Sequence, residues 1–285
     1  MKKLFLTLFV GSLLLPQLSH AKGNFTLKPY LDVLAKDIQK GDKHRKEFSE
    51  LKARWEKESP IPLARLTCVQ FSYINFDGQD KQDGELVVMD AVAPQVLAIL
   101  QDLFNKKFPL HQAKRIEFFE ADDDKSLEAN NSSCYNCRTI IGDSKNHSMH
   151  AYGVAIDINP IQNPFHGFES DDNQEKGIRH TKPASGGTNY INRHRAQKDK
   201  LPGLAEYVID VFHRNGFTTW GGDWNFPIDW QHFQPSRSMA QLLTVMSPQD
   251  ATRFFTLHVA SLKVASSNLM TNFPAKDTAL IDLYQ

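Results

Sequence analysis

The sequence predicts an α+β fold, a small antiparallel sheet with flanking helices, and three observations carry that reading. Residues 68–76 and 85–89 are rich in β-branched and aromatic side chains, with Asp77-Gly78 and Asp83-Gly84 as turns, so they read as two strands. Residues 90–107 place Val92, Val96, Leu97, Leu100, Leu103 and Phe104 on one helical face. The remaining segments mix strand and helix patterns without βαβ alternation, which argues against a doubly wound parallel sheet.

Taken in order, residues 1–21 have the form of a secretory signal. Lys2 and Lys3 precede an uncharged apolar run over 4–15, Pro16 breaks it, and Ser19-His20-Ala21 supplies small residues around a cleavage point. That run makes about 18 Å of helix, short of the roughly 30 Å hydrocarbon core. The expectation is an exported chain, periplasmic or secreted, with no stable membrane insertion after cleavage. Residues 22–64 read as a helical amino-terminal extension, with Leu31, Val33, Leu34 and Ile38, then Phe48, Leu51 and Trp55, as the apolar faces of two helices.

After the 90–107 helix, residues 115–120 and 155–159 read as strands, and 122–144 is polar and turn-rich. Residues 163–201 are polar too, a length that suits a binding loop or lid better than a passive linker. Residues 203–215 read as a helix stopped by Gly216. Short strands follow at 217–220 and 230–233 around a Gly221-Gly222 turn, and a last helix at 247–264 is opened by Ser247-Pro248. The domain reading is a signal at 1–21, a helical extension at 22–64, a main domain at 65–235 and a helical carboxy-terminal extension at 236–285.

Lys+Arg and Asp+Glu both number 33, so no net field draws the chain to nucleic acid, and no nucleic-acid partner is expected. Cys68, Cys134 and Cys137 all lie in the exported part. Cys134-x-x-Cys137 reads as a structural disulfide or buried thiols; redox catalysis is the alternative, although no thioredoxin-like strand-motif-helix order surrounds it.

The chemistry concentrates in Ser148-Met149-His150-Ala151-Tyr152-Gly153-Val154-Ala155-Ile156-Asp157. Asp157 interrupts a run that otherwise reads as a buried strand, and a buried carboxylate is costly unless paired or metal-bound. Gly153 can take positive φ and turn His150 towards Asp157. A structural Asp-His ion pair is the alternative. The second cluster, Trp220-Gly221-Gly222-Asp223-Trp224 and Asp229-x-x-His232, adds a third ligand type. His150, Asp157 and His232 together suit a zinc site with one position open for water. Asp229 is then placed to take a proton from that water, provided a turn or bulge separates it from His232.

These motifs resemble the zinc D-alanyl-D-alanine carboxypeptidase-like peptidases, which include L-alanyl-D-glutamate endopeptidases of peptidoglycan and share a fold with the hedgehog amino-terminal domain. The resemblance runs over about 66–233. It includes the Asp77-Gly78 to Leu86 segment, Asp123-Asp124-x-Ser126 with Asn130-Asn131-x-Ser133, and Asn136-Cys137-Arg138. It implies one Zn²⁺ per chain held by His150, Asp157 and His232, with Asp229 as general base and Arg138 acting on substrate charge. Ser148, His147 and Asp223 are read as supporting or substrate-contacting positions. Peptidoglycan stem peptides are the implied partner. His166, His180 and His194, with Arg179, Arg193 and Arg195, read as solvated loop charge that an acidic peptide would meet. Two rival functions stay open: a zinc-bearing but non-catalytic wall-binding or signalling module, and a thiol oxidoreductase.

Overall fold

The computed structural model describes residues 23–40, 45–140, 143–168, 179–193 and 201–272. The first sheet is antiparallel, with β2 (Leu66–Ile74) between β1 (Phe25–Pro29) and β3 (Asp80–Met89). Residues 22–64 are therefore not helical throughout. Phe25–Pro29 pairs with β2 before α1 (Tyr30–Gln39) and α2 (Arg45–Glu58) begin. Pro29 at the strand's end also flanks the helix start, where its missing N–H costs nothing. Tyr30, Leu34, Phe48 and Trp55 are buried in the same core as Val69, Val96 and Phe233.

A short 3₁₀ turn, Asp90–Val92, leads into α3 (Ala93–Asn105), which buries Val96, Ile99, Leu100 and Leu103. Each such side chain is worth about 1.5–3 kcal/mol when fully buried. Residues 115–120, expected as a strand, instead form a 3₁₀ turn over Ile116–Phe119. Ile116 and Glu117 are buried in succession, which a strand with one buried face cannot do. The cause is Arg115. Its buried guanidinium holds Glu85 (2.8 Å), Glu117 (3.2 Å) and Asp37, while Tyr30 Oη donates to Glu117 (2.7 Å).

The polar stretch 122–144 holds more order than its composition suggests. It contains α4 (Asp123–Glu128), capped by Asp122, then β5 (Asn131–Ser132), parallel to β4 (Gln112–Ala113), and β6 (Thr139–Ile140), paired with β7 (Asp143–His147). The Asn-Asn-x-Ser motif is the fastener here. Asn131 exchanges hydrogen bonds with Lys114 (2.8 and 3.0 Å), and Asn130 Nδ2 donates to Gln162 (3.0 Å).

The second sheet has β13 (His232–Gln234) between β11 (Thr219–Trp220) and β8 (Ile156–Asp157). A third joins β9 (Phe165–Phe168) to β10 (Arg179–Lys182) and β12 (Ile228–Asp229). Within the long polar segment, then, the described residues include two antiparallel paired strands. The expected helix at 203–215 is split into a 3₁₀ turn, Ala205–Tyr207, and the short α5 (Ile209–His213), ending at Gly216 with φ +91°.

α6 (Arg237–Val245), capped by Ser236 Oγ, and α7 (Pro248–Asn272) close the chain. Arg65 pins α6. It binds Asp90 through two nitrogens (2.7 and 2.9 Å) and donates to the carbonyls of Leu243, Thr244 and Met246, the helix end where a cation is favoured. Among the described residues no helix is long and apolar enough to cross a membrane. The expected signal at 1–21 lies outside the described residues, as do His194 and Arg195. Cys68, Cys134 and Cys137 are free and buried, so of the two structural readings the buried thiols hold and no disulfide forms.

Candidate metal centre

His150 sits in the 3₁₀ turn Met149–Tyr152. Ser148 begins that turn and its Oγ accepts the His150 backbone N–H (3.3 Å). Gly153 ends it at φ +66°, and a Cβ there would lie 2.7 Å from Met89 N. The turn therefore needs glycine, and it delivers His150 to β8. Register does the rest: His232 on β13 lies directly opposite Asp157, and Phe233 lies opposite Ile156. Alternation sends Phe233 into the core, stacked on Phe212 at 3.9 Å, and leaves His232 and Asp157 on the other face. On its far side Asp157 exchanges backbone hydrogen bonds with Ser133 (2.9 and 3.0 Å).

The ligand atoms of His150, Asp157 and His232 lie within 4.8 Å of one another, and all three residues are buried. His150 Nε2 is 3.2 Å from Asp157 Oδ2, and His232 Nδ1 is 3.0 Å from Asp157 Oδ1. Each ring is fixed from behind. His150 Nδ1 donates to the Cys134 carbonyl (2.6 Å), and His232 Nε2 donates to Gln234 Oε1 (2.7 Å). Those acceptors place the ring proton on the outer nitrogen, so a neutral imidazole points its lone pair inward. Two lone pairs and a carboxylate then converge on one point, an arrangement that either a shared proton or a metal ion satisfies. The donor set of two imidazoles and one carboxylate fits a metal ion with a position left over.

Electrostatics agrees. Burial alone would raise the Asp157 carboxyl, but His150 beside it and hydrogen bonds from both histidines outweigh burial and hold it well below the usual range. Burial disfavours a charged His232, yet its hydrogen bond to Asp157 and that residue's charge push it up to about 9. Asp229 is pushed up to about 6, first by burial and then by the neighbouring Asp157 charge.

Asp229 ends β12, and the chain turns at Trp230-Gln231 before entering β13, so Asp229 and His232 belong to different sheets. This is the turn that the Asp-x-x-His spacing requires. Gly221 packs so closely on Asp229 that a Cβ there would overlap the Asp229 carbonyl. Among the described residues Asp229 Oδ1 is buried without a hydrogen-bond partner, an expensive state for a carboxylate.

The other expected site residues divide. Arg138, about a third exposed, is ion-paired with Asp123 and donates to the Thr139 carbonyl (3.2 Å). Asn136 holds the other Asp123 oxygen (2.6 Å), so the acid is a bracket for the guanidinium. Ser148 is the cap already described. His147 points elsewhere, its Nε2 lying 3.1 Å from the Glu58 carbonyl at the end of α2. Asp223 is exposed in the Gly221–Asp223 turn. Arg193 is no solvated loop charge. It is committed to Glu206, the Gln162 carbonyl (2.7 Å) and Asn163 Oδ1 (2.7 Å), and its guanidinium lies 5.2 Å over the Trp230 ring.

Sequence reasoning missed three contributors. Gln234 orients His232, and its place two residues on in the same strand was the available signal. The Cys134 carbonyl orients His150, and no sequence signal marks a backbone acceptor. Trp224 lies 5.4 Å from the His232 ring and walls the centre.

Residues 142–235 match the family model described as D-alanyl-D-alanine carboxypeptidase. The match covers about a third of the chain, and it takes in His150, Asp157, Asp229 and His232 while leaving Arg138 just outside. It supports the family that the sequence motifs resemble. No curated protein and no solved structure matches the chain significantly.

Proposed function

We propose that the chain is a zinc-dependent peptidase that hydrolyses the peptidoglycan stem peptide, of D-alanyl-D-alanine carboxypeptidase or L-alanyl-D-glutamate endopeptidase type. The observation that carries the reading is the convergence of His150, Asp157 and His232, each ring locked by an acceptor behind it, within the segment that matches the peptidase family. Zn²⁺ held by these three residues would supply Lewis-acid polarisation of the scissile carbonyl and acidify a water.

The remaining chemistry belongs to the protein. Asp229, pushed up to about 6 and with Oδ1 unpaired among the described residues, accepts the proton of the attacking water at Oδ1 and returns it to the leaving amine. Arg138, held by Asp123, offers its remaining N–H groups to a substrate carboxylate or to the developing oxyanion, geometry a lysine would not reproduce. Trp224 restricts solvent on the His232 side. Export to the periplasm or beyond follows from the signal-like residues 1–21 and would place the enzyme with its substrate.

Elemental analysis of the purified mature chain tests the metal. About one zinc per chain is expected, with most of it lost in His150→Ala and in Asp157→Ala. Full zinc content in both variants would remove the ligand assignment.

A further inference from the structure

A cavity of about 560 Å³ opens beside the first sheet, and none of the metal-centre residues lines it. That volume falls within the roughly 300–1,000 Å³ of small-ligand sites. Its lining is dominated by side-chain amides, those of Asn24, Gln70, Gln82 and Gln112. Gln70 Nε2 donates to Glu85 (2.7 Å), and Gln112 Nε2 donates to the Ala129 carbonyl (2.5 Å). Both amides are thereby fixed while their carbonyl oxygens stay available among the described residues. The exposed Gln82 amide forms no hydrogen bond among them.

The charge in the cavity is acidic on balance. The second oxygen of Glu85 takes Arg115 Nε (2.8 Å), a guanidinium that it shares with Glu117 and Asp37. Asp83, steadied by Tyr73 Oη (3.2 Å), and Lys114 then contribute one charge of each sign. The half-buried ring of Phe119 closes one wall.

We propose that this cavity binds a neutral sugar chain of the acetamido-bearing kind. An amide presents a donor and an acceptor side by side, the pattern that matches both neighbouring hydroxyls and an acetamido group. The acidic balance selects against an anionic ligand, its carboxylates accept from sugar hydroxyls, and an aromatic ring suits the apolar face of a pyranose. A peptide with free carboxylates is the disfavoured occupant, because the lining sets two carboxylates, Asp83 and Glu85, against the single ammonium of Lys114. The assignment stands on the cavity and does not depend on the peptidase reading. A glycan strand bearing stem peptides would link the two, holding the polymer at a site separate from the metal centre.

The test is calorimetric titration of the mature chain, zinc-loaded and metal-free, with the β-1,4-linked tetramer of N-acetylglucosamine and with a glycan-free stem tripeptide. Saturable binding of the tetramer in both metal states is expected, weakened about tenfold in Gln82→Ala, the loss of one two-point contact. Phe119→Ala should weaken it as well. Gln82 is the deciding position because its exposure leaves the fold untouched. Hydrolysis of glycan-free stem peptide should be the same in Gln82→Ala as in the parent, so a failed peptidase assay and a failed sugar titration are separate results. No tetramer binding at millimolar concentration, binding indifferent to Gln82→Ala, or tripeptide binding that Gln82→Ala abolishes would each overturn the proposal.

Discussion

At the residue scale, the centre works by division of labour between atoms of the same side chain. In each histidine one nitrogen is committed to a carbonyl oxygen and the other is thereby turned towards Asp157, where a metal could bind. Gln234→Ala should therefore weaken zinc binding by about 10- to 100-fold, the range seen when a ligand's outer partner is removed. Competition with a chromogenic chelator would read it, and an unchanged affinity would reduce Gln234 to a bystander. Asp229→Asn separates proton transfer from metal binding. Zinc content should hold while kcat falls by about 10² to 10⁴. A near-parental rate would move the base elsewhere, with Asp223 the next acid along the chain, although its exposure makes it a poor substitute.

At the scale of elements, the turn between β12 and β13 determines where Asp229 points, and Trp230 is its pin. The Trp230 carbonyl accepts from Trp220 Nε1 (2.8 Å), and its ring meets Arg193 at 5.2 Å and a stacked His166 at 6.5 Å. Arg193→Ala should leave the zinc content intact but free the Trp230 ring, with kcat falling more than KM rises. Steady-state kinetics with the intrinsic tryptophan emission would check it. Equal zinc, unchanged kinetics and unchanged emission would show that the clamp does not reach the base.

The same comparison shows what a sequence can and cannot disclose. His150, Asp157 and His232 were legible because a carboxylate in a buried run and histidines beside glycine turns break patterns that apolar packing would otherwise set. The β2–β3 hairpin and α3 were legible from periodicity over many residues. The 3₁₀ turn at Ile116–Phe119 was not, since it follows from Arg115 meeting Asp37 and Glu85 from distant segments. Arg193 was misread for the same reason: Glu206 and Trp230 reach it only through the fold.

At the scale of the whole molecule, pH and metal act on one stability. In the metal-free chain His232 is pushed up to about 9, so it contributes stability that is fully present below its ordinary value of 6.5 and lost as pH rises through about 9. Asp157 is held low, so its contribution is present above the usual carboxylate range and lost only as pH falls through its depressed value. Asp229, raised to about 6, favours the folded state in acid, and that contribution is lost as pH rises through about 6. The thermal midpoint of the metal-free chain should fall between about pH 6.5 and 9. Zinc bound at the proposed site would take the place of the His232 proton, so the loaded chain should lose that slope. Parallel profiles with and without zinc would refute the linkage.

The proposed function has the buried His150, Asp157 and His232 centre hydrolyse stem peptide through a bound metal. Mass spectrometry of a stem pentapeptide ending in D-alanyl-D-alanine tests this, after incubation with chelator-stripped chain, zinc-restored chain and zinc-supplemented His150→Ala. A single cleavage, loss of the terminal D-alanine or scission between L-alanine and D-glutamate, is expected with the zinc-restored parent alone. An intact pentapeptide with fully zinc-loaded parent, or the same product from the stripped chain, would contradict it.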